Sequence, residues 1–391
     1  MEMSERKENL RYDLLIACQV MMMCAGFNYV TYYLLSVQVS NREIGILVAA
    51  SCLVAIFVQT MMGRLIDKNV MDVKKLLLCL ALIQVLCGVL ILVIHMAGFK
   101  VVFFGVFLCI TLVIQPILNS FGFFYQSQGI TVNYGIARGI GSLCYSGCSM
   151  LLGFLTVRLG SSVVPASCSI IAAVVFLLLL SGPSLRGVGG DPSVEKEKKE
   201  IPSLTKCPMF LLMLVGLTLV MVFHNMVMTF FINVIERAGG NSENMGVAVG
   251  IAGLVEIPIL FFYTRIKKDR PSRYFLAASG VAFLTKAVLF LFAREIWIIY
   301  AIQCLQCLAY GLMAASRVYY VDEVFGKENE ASGQARMSAT ESIGIVVGSA
   351  LGGFLMQSGG VEAILNAGAV ICFIGVVCMV LSAWKQKDLD F

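Results

Sequence analysis

The sequence predicts an all-α integral membrane protein of twelve transmembrane helices, in two pseudo-symmetric six-helix bundles with both termini cytoplasmic. Three observations carry this expectation. Of 391 residues, 59% are hydrophobic and 14% charged, whereas soluble domains carry about 25% charged residues. The mean hydropathy of +0.88 excludes a soluble fold. Uncharged runs of about 20 residues, long enough to cross a bilayer, recur along the whole chain. Finally, basic residues alternate between dense and sparse connecting segments, as expected when Lys and Arg accumulate on the cytoplasmic side.

Taken in order, the first run, 14–38, follows the polar start Met1 to Arg11. That start and the length of the run argue against a cleavable signal peptide. The second, 43–63, lies between Arg42 and Arg64. The third, 76–95, begins after Lys74-Lys75, and the fourth, 101–123, after Lys100. No charge divides the stretch 101–137, so the end of the fourth helix is the least defined. The fifth, 139–157, is bracketed by Arg138 and Arg158, and the sixth is 162–181. The segment 182–206, with GVGGDPSVEKEKKEIPS, combines Gly, Pro and mixed charge and reads as a flexible linker. It separates an N-terminal bundle, 1–181, from a C-terminal bundle, 207–391. The second bundle holds runs at 208–235, 244–264, 274–293, 296–316, 337–357 and 363–384.

With the amino terminus inside, the outer segments hold only Arg42, Lys100, Arg158, Arg237 and Arg294. Lys286 lies inside a run, and every other Lys or Arg falls on the inner side. A wrong helix count would scramble that alternation.

The halves repeat at an offset of about 200 residues. Arg42–Ile56 matches the stretch from Ser242, with Gly45 over Gly246 and Leu53-Val54 over Leu254-Val255. Ala137-Arg138 parallels Ala335-Arg336, and Thr31-Tyr32-Tyr33 parallels Thr229-Phe230-Phe231. Six helices per repeat give both halves the same orientation. Parallel repeats of this kind place a ligand site near the midplane between the halves. Gly344, Gly348 and Gly352 recur every four positions, which reads first as close helix packing.

Ionisable groups at hydrocarbon depth are costly and mark candidate sites. Glu256 lies nine residues before Arg265 and Lys286 thirteen after Arg273, which places them ~14 and ~20 Å from the cytoplasmic ends. They sit on consecutive antiparallel helices, so they can pair near the midplane. The repeat places Ala55 opposite Glu256, so packing symmetry does not require the acid. A permanent structural ion pair is the alternative reading.

Nearly all of the fourteen cysteines lie inside apolar runs, where thiols behave as small hydrophobes. Cys304-x-x-Cys307 sits in such a run without a second ligand pair. His95 and His224 form no cluster. The sequence therefore predicts no metal and no cofactor. It also shows no nucleophile–base set, no phosphate-cradling loop and no loop long enough for a catalytic domain, which argues against an enzyme.

The residues resemble the major facilitator superfamily. Gly63-Arg-Leu-Ile-Asp67-Lys68 is similar to its loop motif G-x-L-x-D-[RK]-x-G-[RK], although Val70 replaces the second glycine. Tyr134-Gly-Ile-Ala-Arg138-Gly-Ile-Gly141, Glu256-Ile-Pro258 and Lys286 resemble the lactose-permease, nucleoside-symporter and phenylpropionate-permease branch. The resemblance covers essentially the whole chain. It implies a secondary active transporter working by alternating access, with Gly63, Asp67 and Lys68 latching a cytoplasmic gate. An ordinary charged loop is the plainer reading of those three.

The same resemblance makes Arg138 a sugar-binding arginine, places Tyr145 where that branch has a stacking Trp, and places Asn119 where it has a carboxylate. Asn28, His224, Asn225 and Gln306 are further cavity candidates, each equally a source of one interhelical hydrogen bond. Arg138 is also readable as a flank charge and Tyr145 as packing. Burial favours a protonated acid and a nearby ammonium favours its ionised form. A motion that alters the Glu256–Lys286 pairing therefore moves proton affinity, which is what a proton-coupled symporter needs. The helix-ten His and Glu that serve coupling in lactose permease are absent from Gln303–Ala309. Glu341 is a further acid, five residues past Arg336, so an interfacial partner is the simpler reading.

The expected activity is proton-coupled uptake of a small polar or aromatic solute: a sugar, a nucleoside or an aromatic carboxylate. An exporter exchanging protons for drugs is the competing reading, but Arg138 to Gly160 lacks the Pro of the Gly-Pro motif such exporters carry. A non-transporting receptor is a further alternative. The expected partners are a small-molecule substrate, protons and the lipid bilayer, with no nucleic acid and a monomeric state. The expected location is the plasma (bacterial inner) membrane, with multiple crossings.

Overall fold

In the computed structural model, residues 2–67, 72–127, 132, 134–182 and 207–386 are described. The linker 182–206 falls outside them apart from Gly182. The chain divides into two compact units, Met1–Glu195 and Lys196–Phe391.

The first unit contains α1 (Glu2–Met23), a π-helical turn (Cys24–Asn28), α2 (Val30–Ser36), α3 (Asn41–Asp67), α4 (Val73–Val93), α5 (Ala97–Ser127), α6 (Tyr134–Leu159) and α7 (Val163–Leu180). The second contains α8 (Pro208–Thr229), α9 (Phe231–Arg237), α10 (Ser242–Lys267), α11 (Ser272–Phe292), α12 (Ile296–Cys304), a 3-10 turn (Leu305–Cys307) and the helical stretch α13 (Tyr310–Lys385).

Eleven helical stretches among the described residues are long and apolar enough to cross a membrane. Phe57, Phe261, Phe292 and Trp384 are exposed on them. Apolar exposure on this scale is unsuited to water and suited to acyl chains. The eleventh stretch, Ser332–Lys385, has 54 residues. Straight, it would measure ~81 Å against ~30 Å of hydrocarbon. It is interrupted at Gly360, with φ 63° and ψ −158°, and Gly326 upstream has φ 64° and ψ 176°. Side chains with a Cβ essentially never adopt this region, so glycine is what allows the chain to change direction there.

Several helix starts are fixed by side chains. The α3 N-terminus is closed by Ser40 and Glu43. The Ser40 N–H donates to Glu43 Oε2 at 2.9 Å, and the Glu43 N–H donates to Ser40 Oγ at 3.3 Å. In α10, Asn241 Oδ1 accepts from the Asn244 N–H at 3.2 Å, and Asn244 Oδ1 accepts from the Asn241 N–H at 3.0 Å. Both are reciprocal caps. They occupy matching positions of the internal repeat, so the halves share local chemistry as well as apolar pattern.

Within each unit, glycines bring backbones together. A Cβ on Gly348 would lie 2.6 Å from the Val222 carbonyl oxygen and 3.0 Å from the Met226 nitrogen. Gly344 meets the Met221 Cβ at 2.5 Å, and Gly352 meets the Met226 Cγ at 2.8 Å. The glycine stripe of α13 therefore seats directly on α8. In the first unit, Gly141 of α6 approaches Val20 of α1 more loosely, at 3.3 Å.

Candidate functional site

Four of the polar side chains singled out in the sequence, Asn28, Asn119, Glu256 and Gln306, lie beside irregularities in otherwise long helices. The first helix leaves α-geometry at Cys24–Asn28, and Tyr29 has φ −101° and ψ 1°. A single π turn inside a helix frequently marks a functional position. Asn28 ends that turn, and its Nδ2 donates to the Tyr145 hydroxyl at 2.7 Å. It also contacts the Cys24 sulfur at 3.8 Å. Tyr29 is buried, and its hydroxyl donates to the Ser149 carbonyl at 2.7 Å. The first helix is thereby pinned to α6 on two successive polar contacts. Two residues named separately from the sequence, Asn28 and Tyr145, are brought together.

Asn119 is half-buried on α5, one turn past Pro116, which lies inside that helix. Arg138 is exposed in the first turns of α6, about two turns before Tyr145. Gly63 and Asp67 lie in the last turns of α3. A Cβ at Gly63 would have no neighbour within 4 Å. Lys68 and the side chain of Asp67 lie outside the described residues.

The second unit holds a denser cluster. Lys286 on α11 is 3% exposed. Its ammonium donates to Gln303 Oε1 at 3.1 Å and to Gln306 Oε1. Both glutamines are buried. Gln306 sits in the 3-10 turn Leu305–Cys307, where the segment Ile296–Gly326 loses α-geometry about ten residues in, or ~15 Å along its axis. Discontinuous helices at this depth are a recurrent way of building solute and ion sites.

Glu256 acts electrostatically on Lys286 and on Cys307. It lies two residues before Pro258, which is inside α10. Proline supplies no N–H, so it frees the carbonyl of Leu254 and bends the helix. The α13 helix restarts against Glu256: a Cβ at Gly311 would lie 3.5 Å from Glu256 Cγ. The stem of Glu256 therefore packs beside the start of α13, and its charge acts on the Lys286 ammonium.

His224 on α8 packs face-on to Tyr310, with ring centroids 5.6 Å apart, and edge-on to Phe283 at 5.5 Å. It too feels the Lys286 charge. Tyr310 donates to Glu341 Oε1 at 3.2 Å, and the same oxygen is ion-paired with Arg317. Glu341 thus bridges the first two turns of α13 rather than answering Arg336, which lies over the Phe325 ring. Asn225 turns back on its own helix, donating to the Met221 carbonyl at 2.9 Å.

The sequence puts Glu256 and Lys286 in one neighbourhood, whereas Gln303 stands out in it only as the first residue of the stretch Gln303–Ala309, which holds neither a His nor a Glu. Its three-residue spacing from Gln306 on an apolar helix was the available signal. Tyr310 and Arg317 gave no local signal, because Glu341 reaches them across more than twenty residues of chain.

The sequence profile of the MFS_1 like family matches residues 22–367, which include all of the side chains in both clusters. An uncharacterized transporter of Bacillus subtilis (strain 168), YwbF, is 24% identical over 298 residues, or 75% of this chain and 73% of that protein. The crystal structure of a nucleoside transporter, NupG, superposes with a TM-score of 0.80 at 12% identity, covering 97% of this chain and 100% of that one. A peptide transporter, POT, gives a TM-score of 0.76 at 9% identity over 97% and 94% of the two chains. At such identities the structural likeness concerns the fold.

Proposed function

Starting from the premise that the chain belongs to the MFS_1 like family, and so is a multi-pass membrane transporter of the major facilitator type and not an enzyme, we propose that it couples proton entry to uptake of a small solute. The solute is a sugar, a nucleoside or an aromatic carboxylate, moved by alternating access. Twelve crossings, both termini cytoplasmic, follow if the long last stretch turns at Gly360. On this reading the chain comprises an N-terminal bundle (1–181), a linker (182–206) and a C-terminal bundle (207–391). It works as a monomer in the plasma membrane.

One observation carries the reading: Lys286 is buried inside a membrane span, hydrogen-bonded to Gln303 and Gln306 at a 3-10 turn, and the nearby acid Glu256, two residues before Pro258, acts on its charge. A purely structural role would be served as well by apolar packing. In the proposed cycle Glu256 takes up a proton from the outer side, when Lys286 withdraws from it. It releases the proton inside when Lys286 returns. Asn28 and Tyr145 offer the solute an amide and a ring face. Asn119, Arg138, His224, Asn225 and Gln306 are further contacts along its route. Gly63, Asp67 and Lys68 form the inner latch.

Purified protein screened by thermal shift against sugars, nucleosides and aromatic carboxylates identifies the solute class. The hit is then followed into proteoliposomes with and without an inside-alkaline pH gradient. Accumulation above equilibrium only with the gradient supports the reading. Gradient-independent equilibration overturns it.

A further inference from the structure

The contacts of Lys286 have a direction. Its ammonium is nearly inaccessible, and both of its hydrogen-bonding partners are amide oxygens, of Gln303 and Gln306. An amide that turns its oxygen to a cation must turn its nitrogen elsewhere. The usual ambiguity between amide oxygen and nitrogen is therefore removed for both side chains. For Gln303, which is 1% exposed, Nε2 is left buried without an acceptor among the described residues. A buried donor without an acceptor is costly, and few are left so in a folded protein. The cluster thus presents an unused N–H beside an ammonium that has a third proton to donate. The rings of His224 on α8 and Tyr310 on α13 stack on one another nearby, and His224 feels the Lys286 charge. Interruption of the helix at Leu305–Cys307 brings Gln306 and the start of α13 to the same level.

When Glu256 is protonated, a site with surplus donors and an uncompensated ammonium is completed by an acceptor that is itself negative. We infer that Lys286, Gln303 and Gln306 form the subsite for a carboxylate group of the solute, so that the transported compound is an organic anion. The carboxylate takes one oxygen to the Lys286 ammonium and one to Gln303 Nε2. Charge-assisted hydrogen bonds of this kind are the strong ones. The inference rests on the transporter reading and narrows its solute class from three to one.

The test uses the full chain in detergent at constant ionic strength. Thermal unfolding is followed with matched pairs: benzoate against benzamide, and galacturonate against galactose. A ligand that binds only the folded protein raises its melting temperature by an amount that grows with the logarithm of its concentration over its dissociation constant. At least one carboxylate is expected to stabilise the wild type more than its neutral partner does. Lys286→Gln should abolish that difference, and Gln303→Leu should weaken carboxylate affinity by about tenfold or more. Gln303→Leu keeps the charge and the volume, so the inference stays testable if Lys286→Gln fails to fold. No preference for either carboxylate, or a preference that survives both substitutions, overturns the subsite. A neutral solute concentrated by a pH gradient would remove the anion subsite and leave symport standing. Carboxylate binding without gradient-driven uptake would do the reverse.

Discussion

Lys286 illustrates what one residue demands of its surroundings. A long apolar run made it conspicuous in the sequence, because an ammonium at that depth needs partners. What the sequence did not disclose was their kind. Gln303 and Gln306 carry no charge, and their three-residue spacing puts them on one face without saying that both oxygens converge on Nζ. Glu256 was legible for the same reason as Lys286, and its nearness to Lys286 followed from two consecutive antiparallel helices. Glu256→Gln keeps the shape of the side chain and removes the titration. It should abolish pH-driven accumulation while leaving solute exchange, measured as counterflow, within about twofold of wild type. In the first unit, Tyr145→Phe keeps the ring and deletes the acceptor of the Asn28 amide. Loss of one such bond is worth about 0.5–1.5 kcal/mol. Solute affinity, measured by titration, should therefore fall about two- to tenfold, whereas Tyr145→Ala should lose more. Equal affinities for Tyr145→Phe and wild type would mean that the hydroxyl has no part in the site.

At the scale of the element, the helices were legible and their interruptions largely were not. Charged flanks and apolar length located most middle spans to within a few residues, but the first helix begins well before residue 14, the tenth stretch runs on to Gly326, and the last two runs fall in the single stretch Ser332–Lys385. Pro258 announces its own bend. The π turn at Cys24–Asn28 and the 3-10 turn at Leu305–Cys307 contain no proline, and their sequences read as ordinary apolar helix. Tertiary contacts decide them: Asn28 reaching Tyr145, and Gln306 reaching Lys286. The small-residue stripe of α13 was visible as a four-residue period, but not the helix it meets. Because Gly348 faces backbone atoms of α8, Gly348→Leu forces two helices apart. Overpacking of this sort costs about 1–3 kcal/mol, and the melting temperature should fall accordingly. Gly147 has no neighbour within 4 Å of its missing Cβ, so Gly147→Ala is the matched control and should melt within a degree or so of wild type.

For the whole molecule, the repeat is the most informative pattern. Ser40 with Glu43 and Asn241 with Asn244 cap equivalent helices by the same reciprocal bonds, which suits the proposed plan of two like halves with an even number of crossings. The acids and bases of the site do not repeat. Ala55 stands where the second half has Glu256, so the proposed proton chemistry belongs to one half alone. The even count predicts that epitopes fused before Met1 and after Phe391 are both protected from external protease in intact cells. An epitope inserted between Gly359 and Gly360 should be cleaved. Cleavage of the carboxy-terminal epitope in intact cells would give an odd count and break the correspondence between halves.

Coupling itself is tested most directly by watching protons rather than solute. Proteoliposomes containing a pH-sensitive dye, with no imposed gradient, receive an inward solute gradient. The wild-type lumen should acidify as solute enters, and Glu256→Gln should admit solute by exchange without any acidification. Solute entry with no change in lumenal pH in the wild type, or equal acidification in both proteins, would contradict a proton route through Glu256.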